Sequence, residues 1–570
     1  MFKRIDFKKE YWRFFELLMF PVAICLAFFI VYQQFHPKII PLFNQYTQIL
    51  ILYFAFLNIL KIYYNRGSFS YIKKIFFDLC AVVISFVFYN DLIVFQVYII
   101  LRQIVILIDM LASTRPAVNL FSRFRNHPSK VILLSFGIII LLGTTFLSLP
   151  LASSNGESIG IINAGFTATS ATCVTGLIVL DTGADFSSFG HIIILILMQI
   201  GGLGIMTFST TLIMLFGKQI SLQGQSLLQG VLGEATKESV VKLLRAIIIT
   251  TLIFELVGAM ILFLKFRPLN HFAALSNMDL FGHSMFHSVS AFCNAGFCLY
   301  PDSFIGFQGS WTVNLVIMSL IIFGGIGFTV LLDVYNNVIR RRHIRFLSLH
   351  SKVVIVTTVA LIIIGSVLIF AFEYNNQLNQ LPMKNSILAS TFQSVTTRTA
   401  GFNTLDISKM SFASVLLMIV FMFIGASPGS TGGGIKTTSF AILVLSVWSI
   451  IRHREDVEVF HRSISSENTK KVMSLISISA TILVTLILVL LISEASRGFK
   501  FEQIIFEAFS AFGTVGLSMG ITPHLTSIGK LAIIALMYLG RVGPLTIAFA
   551  LSEKKISVHY HYPDENIAIG

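Results

Sequence analysis

Apolar residues run through this chain in stretches of about 20, the length that crosses the hydrocarbon core of a bilayer as a single helix. In order they predict helices near 14–34, 43–63, 74–90 and 92–112, and then four pairs: 131–151 with 189–215, 242–264 with 313–338, 351–373 with 410–450, and 470–493 with 527–550. Between the members of each pair lies a shorter segment that carries serine or threonine and ends on a glycine: TSATCVTGL at Gly176, VSAFCNAGF at Gly296, SVTTRTAGF at Gly401 and FSAFGTVGL at Gly516. The glycines are 120, 105 and 115 residues apart. That is too long for a solenoid unit and suits two membrane helices with a re-entrant loop between them. Aligned on the glycine, Ser170, Ser290 and Ser510 fall six residues before it, Phe166, Phe286 and Phe506 ten before it, and a Leu or Phe follows it. The pattern predicts an all-α membrane protein with four helix–pore-loop–helix repeats around a central pore. Residues 1–130 form four extra N-terminal helices, and the repeats occupy 131–216, 217–339, 340–452 and 453–570.

Composition agrees with a polytopic membrane protein: 570 residues, 55% hydrophobic and 12% charged, with a mean hydropathy of +0.83. The net charge of +14 suggests no nucleic-acid partner, because the basic residues sit in short runs between apolar stretches. Those runs, at 3–13, 66–74, 115–130, 218–245, 340–352, 452–471 and 554–555, all fall on one side of the predicted helices. The positive-inside rule makes that side cytoplasmic, with both termini on it and the glycine segments open to the outside. The start MFKRIDFKKEYWR leads into a full-length helix and predicts no cleaved signal peptide. Cys25, Cys80, Cys173, Cys293 and Cys298 form no CxxC pair and read as small apolar residues.

A short helix that stops within the membrane aims the negative end of its dipole at the pore axis, and the backbone after it offers carbonyls to a desolvated cation. Glycine lets four such backbones approach one another. The expected selectivity filter is Thr172, Cys173, Val174, Thr175 and Gly176; Phe292, Cys293, Asn294, Ala295 and Gly296; Thr397, Arg398, Thr399, Ala400 and Gly401; and Phe512, Gly513, Thr514, Val515 and Gly516. None is acidic, which favours a monovalent cation over calcium. The Arg398 side chain is expected to point away from the ion as a brace.

From about residue 130 to 570 the chain resembles the Trk/Ktr/HKT superfamily of potassium uptake proteins, and within it the Ktr-type membrane subunits. The resemblance rests on VTGL at 174–177, QIGGLGIMTF at 199–208, CNAGF at 293–297, TRTAGFNT at 397–404, GASPGSTGGGIKTT at 425–438, GRVGPLT at 540–546 and the ending YPDENIAIG. It implies a potassium-conducting homodimer in a bacterial plasma membrane, gated by a cytoplasmic ring of RCK-type nucleotide-binding subunits. Potassium is then the substrate, this chain carries no cofactor, and nucleotide binds the partner. The family also associates glycine at all four filter positions with potassium, and serine at the first with sodium permeation in some plant relatives. A sodium-permeable or sodium-coupled transporter of the same fold stays open beside it.

The inner helices carry a second repeat: Gly201, Gly324, Gly425 and Gly540 lie 25, 28, 24 and 24 residues past the filter glycines. They suit either close helix packing or gating. In the third repeat the helix is interrupted by Gly425, Ala426, Ser427, Pro428, Gly429, Ser430, Thr431, Gly432, Gly433, Gly434, Ile435 and Lys436, which cannot continue a regular helix. Such backbone is tolerated only where it lines a cavity beneath the filter. Ile435 before Lys436 breaks the phosphate-loop pattern. By the resemblance this is an intramembrane gate, with Arg541 beside it. Arg541 is either a positive barrier in the path or a tie between neighbouring carbonyls.

Other groups are less telling. Glu255 and Asp78 could relay protons or bind a coupling ion, or could be hydrogen-bonded anchors. His283 and His287 are too few for a metal site. In residues 1–130 the fourth helix offers only Arg102 where a voltage sensor needs an arginine series, so a scaffold or partner surface is expected there. A membrane-embedded enzyme would need a nucleophile with a base, or paired aspartates, and no such pairing is visible. A non-conducting sensor is the other rival, and ion flux separates both from a channel.

Overall fold

The computed structural model describes residues 128–216, 237–268, 276–340, 346–454, 456–544 and 546. The expectations for residues 1–127, including the extra helices, Asp78 and Arg102, and for the C-terminal ending fall outside them. The chain divides into two compact units, and the larger, 124–148 with 152–570, contains everything described below.

Its elements repeat a three-part order. The first set is α1 (Pro128–Leu147), α2 (Ile161–Thr172) and α3 (Ser188–Phe216). The second is α4 (Lys237–Phe266), α5 (Asn277–Cys293) and α6 (Trp311–Ile326), continued by α7 (Phe328–Val334). The third is α8 (Leu349–Glu373), α9 (Met383–Thr396), α10 (Phe412–Phe423) and α11 (Thr437–Ile451). A hairpin, β1 (Val457–Val459) with β2 (Arg462–Ile464), leads to the last set, α12 (Ser466–Ser493), α13 (Phe501–Gly513) and α14 (Ser527–Val542). Among the described residues, four helices are long and apolar enough to cross a membrane: 130–147 of α1, 244–266 of α4, α8 and α12. Their outward faces carry exposed aliphatic side chains such as Leu141, Ile363, Val367 and Ile492. That is the surface lipid tails solvate.

The short helices α2, α5, α9 and α13 are the buried ones. Phe166, Phe286 and Phe506, ten residues before the glycines, are all in the core. Two of the inner helices, α10 and α14, begin at capped N-termini: Ser411 and Thr526 accept from the backbone N–H groups of Ser414 and Gly529. Two buried carboxylates reinforce those starts. Glu373 accepts from Ser411 N at 2.8 Å, and Glu494 accepts from Thr526 N at 3.1 Å and from Thr526 Oγ1 at 2.5 Å. An anion at a helix N-terminus is favoured by the exposed N–H groups and the dipole together.

Two inner helices depart from the expected continuous spans. α6 stops at Gly327 (φ 98°), and the chain then turns by 99° into 328–340. α14 ends the same way at Gly543 (φ 89°). Each break lies three residues after the glycine of the inner-helix repeat. At the first, Phe328 N donates to Gly429 O at 3.0 Å, so the loop of the third repeat caps the break in the second. The last set also closes on the first: Lys530 Nζ donates to Asn163 Oδ1 (2.9 Å), and Tyr538 OH donates to Leu133 O (2.5 Å).

Candidate functional site: four converging glycines

The four short helices end at one place. A Cβ built on Gly176 would lie 2.5 Å from Ala295 O and 2.9 Å from Gly296 Cα; one on Gly296 would lie 2.9 Å from Ala400 O and from Gly401 Cα. On Gly401 it would meet Val515 O at 2.6 Å, and on Gly516 it would run into Thr175 O. Each glycine thus abuts the next segment in chain order, and the fourth abuts the first, a closed ring of four. All four have positive φ, 93°, 71°, 79° and 89°. Any side chain here meets both a forbidden backbone and a neighbouring carbonyl.

The same backbone irregularity recurs two residues earlier, where Val174, Asn294, Thr399 and Thr514 have φ of 57°, 59°, 73° and 51°. Three of these are β-branched, the class for which a left-handed conformation is a true outlier. The surrounding contacts over-determine it. Thr175 N, Ala295 N and Val515 N donate back to the carbonyls of Ser170, Ser290 and Ser510 at 2.8, 2.7 and 2.8 Å. The serine hydroxyls act as well: Gly176 N and Gly516 N each donate to the Oγ six residues earlier at 3.1 Å, whereas Ser290 Oγ donates to Phe297 O at 2.8 Å. The third segment has Val395 at that position, and Thr396 next to it takes over, with Oγ1 donating to Phe402 O at 2.6 Å.

The inner-helix glycines seat the other end of each segment. A Cβ on Gly201, Gly324 or Gly540 would strike the carbonyl of Thr172, Phe292 or Phe512 respectively. Close packing therefore accounts for these three glycines. Gly425 is different, because what it meets is Gly433, in the 425–436 loop.

That loop is tied at its base, with Gly425 N donating to Ile435 O (2.7 Å) and Thr437 N to Ala426 O (3.3 Å). Its interior reaches the glycine segments. Thr431 Oγ1 lies 3.2 Å from Phe292 O and 3.1 Å from Gly324 O, and Gly433 N donates to Thr514 Oγ1 at 3.1 Å. Ser427 N donates to Gly325 O (3.0 Å), Ser430 Oγ donates to Ser427 O (2.6 Å), and Pro428 O and Gly429 pack on Gly327. Gly432 packs on Thr399 and Gly434 on Gly513, while Lys436 Nζ donates to Gly432 O at 2.8 Å. Arg541 is buried, and its guanidinium donates to Thr431 O in the loop and to Gly201 O in α3. It joins the loop to the first repeat.

The remaining candidates are buried but lie off the ring. Glu255 accepts from Gln199 Nε2 at 3.3 Å, with Cys293 Sγ 4.0 Å from its other oxygen, and so sits behind the second segment. Cys173 and Cys293 are buried thiols, Arg398 is buried, and its Nε has no hydrogen-bond partner. The Asn294 amide meets Thr399 Oγ1 at 3.3 Å and links neighbouring segments. Of the histidines, His287 contacts the strand leaving Gly296, with Nε2 3.2 Å from Leu299 N.

Residues 98–560 match the model of a protein family described as TrkH, cation transport protein. This chain belongs to that family. Among TrkH-family proteins it is 41% identical over 449 residues to the Ktr system potassium uptake protein B of Bacillus subtilis, covering 78% of this chain and 97% of that one. It is 38% identical to the Ktr system potassium uptake protein B of Vibrio alginolyticus (77% and 94% covered) and 38% identical to the potassium/sodium uptake protein NtpJ of Enterococcus hirae (79% and 98%). The crystal structure of the potassium transporter TrkH from Vibrio parahaemolyticus matches with a TM-score of 0.64 at 17% identity, over 90% of this chain and 99% of that one. That likeness shows a shared helical fold, and the family and its potassium uptake relatives make the chain a multi-pass membrane transport protein.

Proposed function

We propose that this TrkH-family chain is the potassium-conducting membrane subunit of a Ktr-type uptake system, with the ring of Gly176, Gly296, Gly401 and Gly516 as its selectivity filter. The observation that carries this reading is the closed, four-membered contact of glycine backbones at the ends of four short helices. Carbonyls of such a ring replace the hydration shell of an ion the size of potassium, and no carboxylate intrudes among the twenty segment residues. The four sets of elements serve as four pore repeats, and ions pass down their electrochemical gradient without chemistry on the chain. The chain works as a homodimer in a bacterial plasma membrane, both termini cytoplasmic, with an RCK-type nucleotide-binding subunit beneath it. Support for the dimer and the partner comes from the Ktr resemblance.

The 425–436 loop is the gate in this reading. It is held against the glycine segments by Thr431 and Gly433 and locked to α3 by Arg541, which makes the arginine a tie and a nearby positive charge at once. Rubidium uptake into vesicles containing the purified chain, with sodium as competitor from equal concentration to excess, tests the proposal. Saturable rubidium flux that resists sodium supports a potassium filter. Flux that sodium abolishes at equal concentration moves the reading to the potassium/sodium activity named for the Enterococcus relative, and no flux in either the unaltered chain or the chain lacking 430–433 removes the channel.

A further inference from the structure

The glycine ring is braced from below by the inner helices, but what holds the strands leaving it differs among the four segments. Nine residues before the glycines stand Thr167, His287, Phe392 and Glu507, all buried. In the second and fourth segments this side chain crosses to the outgoing strand. His287 Nδ1 lies 2.8 Å from His283 O, so that nitrogen carries the hydrogen. Nε2 is then the acceptor, taking Leu299 N–H at 3.2 Å, with Cys298 Sγ at 3.3 Å. The ring is clamped by stacking on Tyr300 (4.6 Å between centroids) and by the edge of Phe304 (5.4 Å). Glu507 makes the corresponding span with oxygens: it accepts from Ser518 Oγ at 2.9 Å and from Thr522 Oγ1. Ser518 and Cys298 occupy the same place, two residues past their glycines. Thr167 and Phe392 have no side-chain hydrogen bond to the equivalent strands among the described residues, and phenylalanine has no group to make one.

The contacts around the ring run in chain order, so the second and fourth segments face each other across it. We propose that His287 and Glu507 are positioning residues that hold the two opposed outgoing strands, and through them the carbonyl spacing that discriminates between monovalent cations. The assignment rests on the filter reading above. Neither side chain belongs to the glycine segments; His287 holds a backbone N–H three residues past its glycine, and Glu507 holds hydroxyls two and six residues past its own. A ring braced across one diagonal by polar struts and across the other by packing is twofold in its stiffness although fourfold in its backbone.

The test is rubidium uptake into vesicles with and without sodium competition, on protein checked by its melting temperature and elution profile. Glu507→Leu and His287→Leu lower the preference for rubidium over sodium by about fivefold or more, the factor that matches loss of one net hydrogen bond. Glu507→Gln and His287→Gln keep an acceptor at the same reach and hold the preference within about twofold of the unaltered protein. Removing the donors instead, with Ser518→Ala and Thr522→Val, reproduces the Glu507→Leu loss and adds little to it when combined. This pair also serves if Glu507→Leu fails to fold. An unchanged preference in folded Glu507→Leu and in the Ser518→Ala, Thr522→Val pair overturns the proposal. Gly176→Ser is measured alongside: if it shifts the preference and the strut variants do not, the struts are structural only and the filter stands. If it too is silent, the filter reading itself has failed.

Discussion

Gly176→Ser puts a side chain where the ring has no room. The backbone there has φ 93°, which costs a residue with a Cβ about 1–2 kcal/mol. The new Cβ would sit 2.5 Å from Ala295 O and 2.9 Å from Gly296 Cα, closer than packed atoms allow, and overpacking of that kind costs about 1–3 kcal/mol more. The neighbour is backbone, so the ring relieves the strain by widening, and carbonyls held farther apart lose the fit that replaces potassium's hydration shell, so its advantage over sodium falls. If only about 1.4 kcal/mol of the strain appears as a difference between ions, discrimination falls tenfold. The assay is the ratio of sodium to rubidium permeability in vesicles. Gly520→Ala is the control, since Gly520 has φ 89° but nothing within 4 Å of a built Cβ, so it pays for the backbone without touching the ring. Equal permeability ratios in Gly176→Ser and the unaltered protein would refute the reasoning. So would an equal shift in both variants, which would trace the effect to general strain.

Arg541→Ala releases the loop from α3 and removes a buried positive charge, so rubidium flux should rise; deleting 430–433 should raise it too and make it less dependent on a nucleotide-binding partner. The combination should be less than additive, and flux at or below the unaltered level in both, with folded protein, removes the gate. Because Arg541→Ala leaves the carbonyls of Thr431 and Gly201 without that donor, it should also lower stability by about 1–3 kcal/mol, read from the thermal unfolding midpoint in detergent. Glu494→Leu strips the start of α14 of its carboxylate acceptor and should destabilise by a similar ~1–3 kcal/mol while leaving ion preference unchanged. A shifted preference there would mean that the α14 start is coupled to the ring.

The sequence discloses the site wherever one repeat performs its task with its own residues. The serines six before Gly176, Gly296 and Gly516 announce the hydroxyls that hold the segments, and the run 425–436 announces broken helix because glycine, serine and proline deny it one. The bend at Gly327 is not announced. Gly327 differs little in sequence from Gly204, which lies within the continuous α3, yet α6 stops at Gly327, where Phe328 N donates to Gly429 O of another repeat. The third segment is also opaque in isolation: Val395 breaks the serine register, and the substitute, Thr396, is recognisable only once Phe402 O is seen in front of it. Positive φ at Val174, Thr399 and Thr514 runs against the preferences of β-branched residues, so local propensity points away from it. The roles of His287 and Glu507 emerge only from alignment at nine before the glycine combined with the partners found across the turn. The 457–464 hairpin is too short to carry a strand pattern of its own.

If the four glycine segments form the filter, a monovalent cation sits within them. Anomalous scattering from crystals grown in rubidium or thallous ion measures it directly. Peaks are expected on the axis enclosed by Gly176, Gly296, Gly401 and Gly516, lost when sodium replaces the heavy ion and weakened in Gly176→Ser. Crystals of transport-competent protein that bind the ion elsewhere, with an empty axis between those glycines, would contradict that expectation.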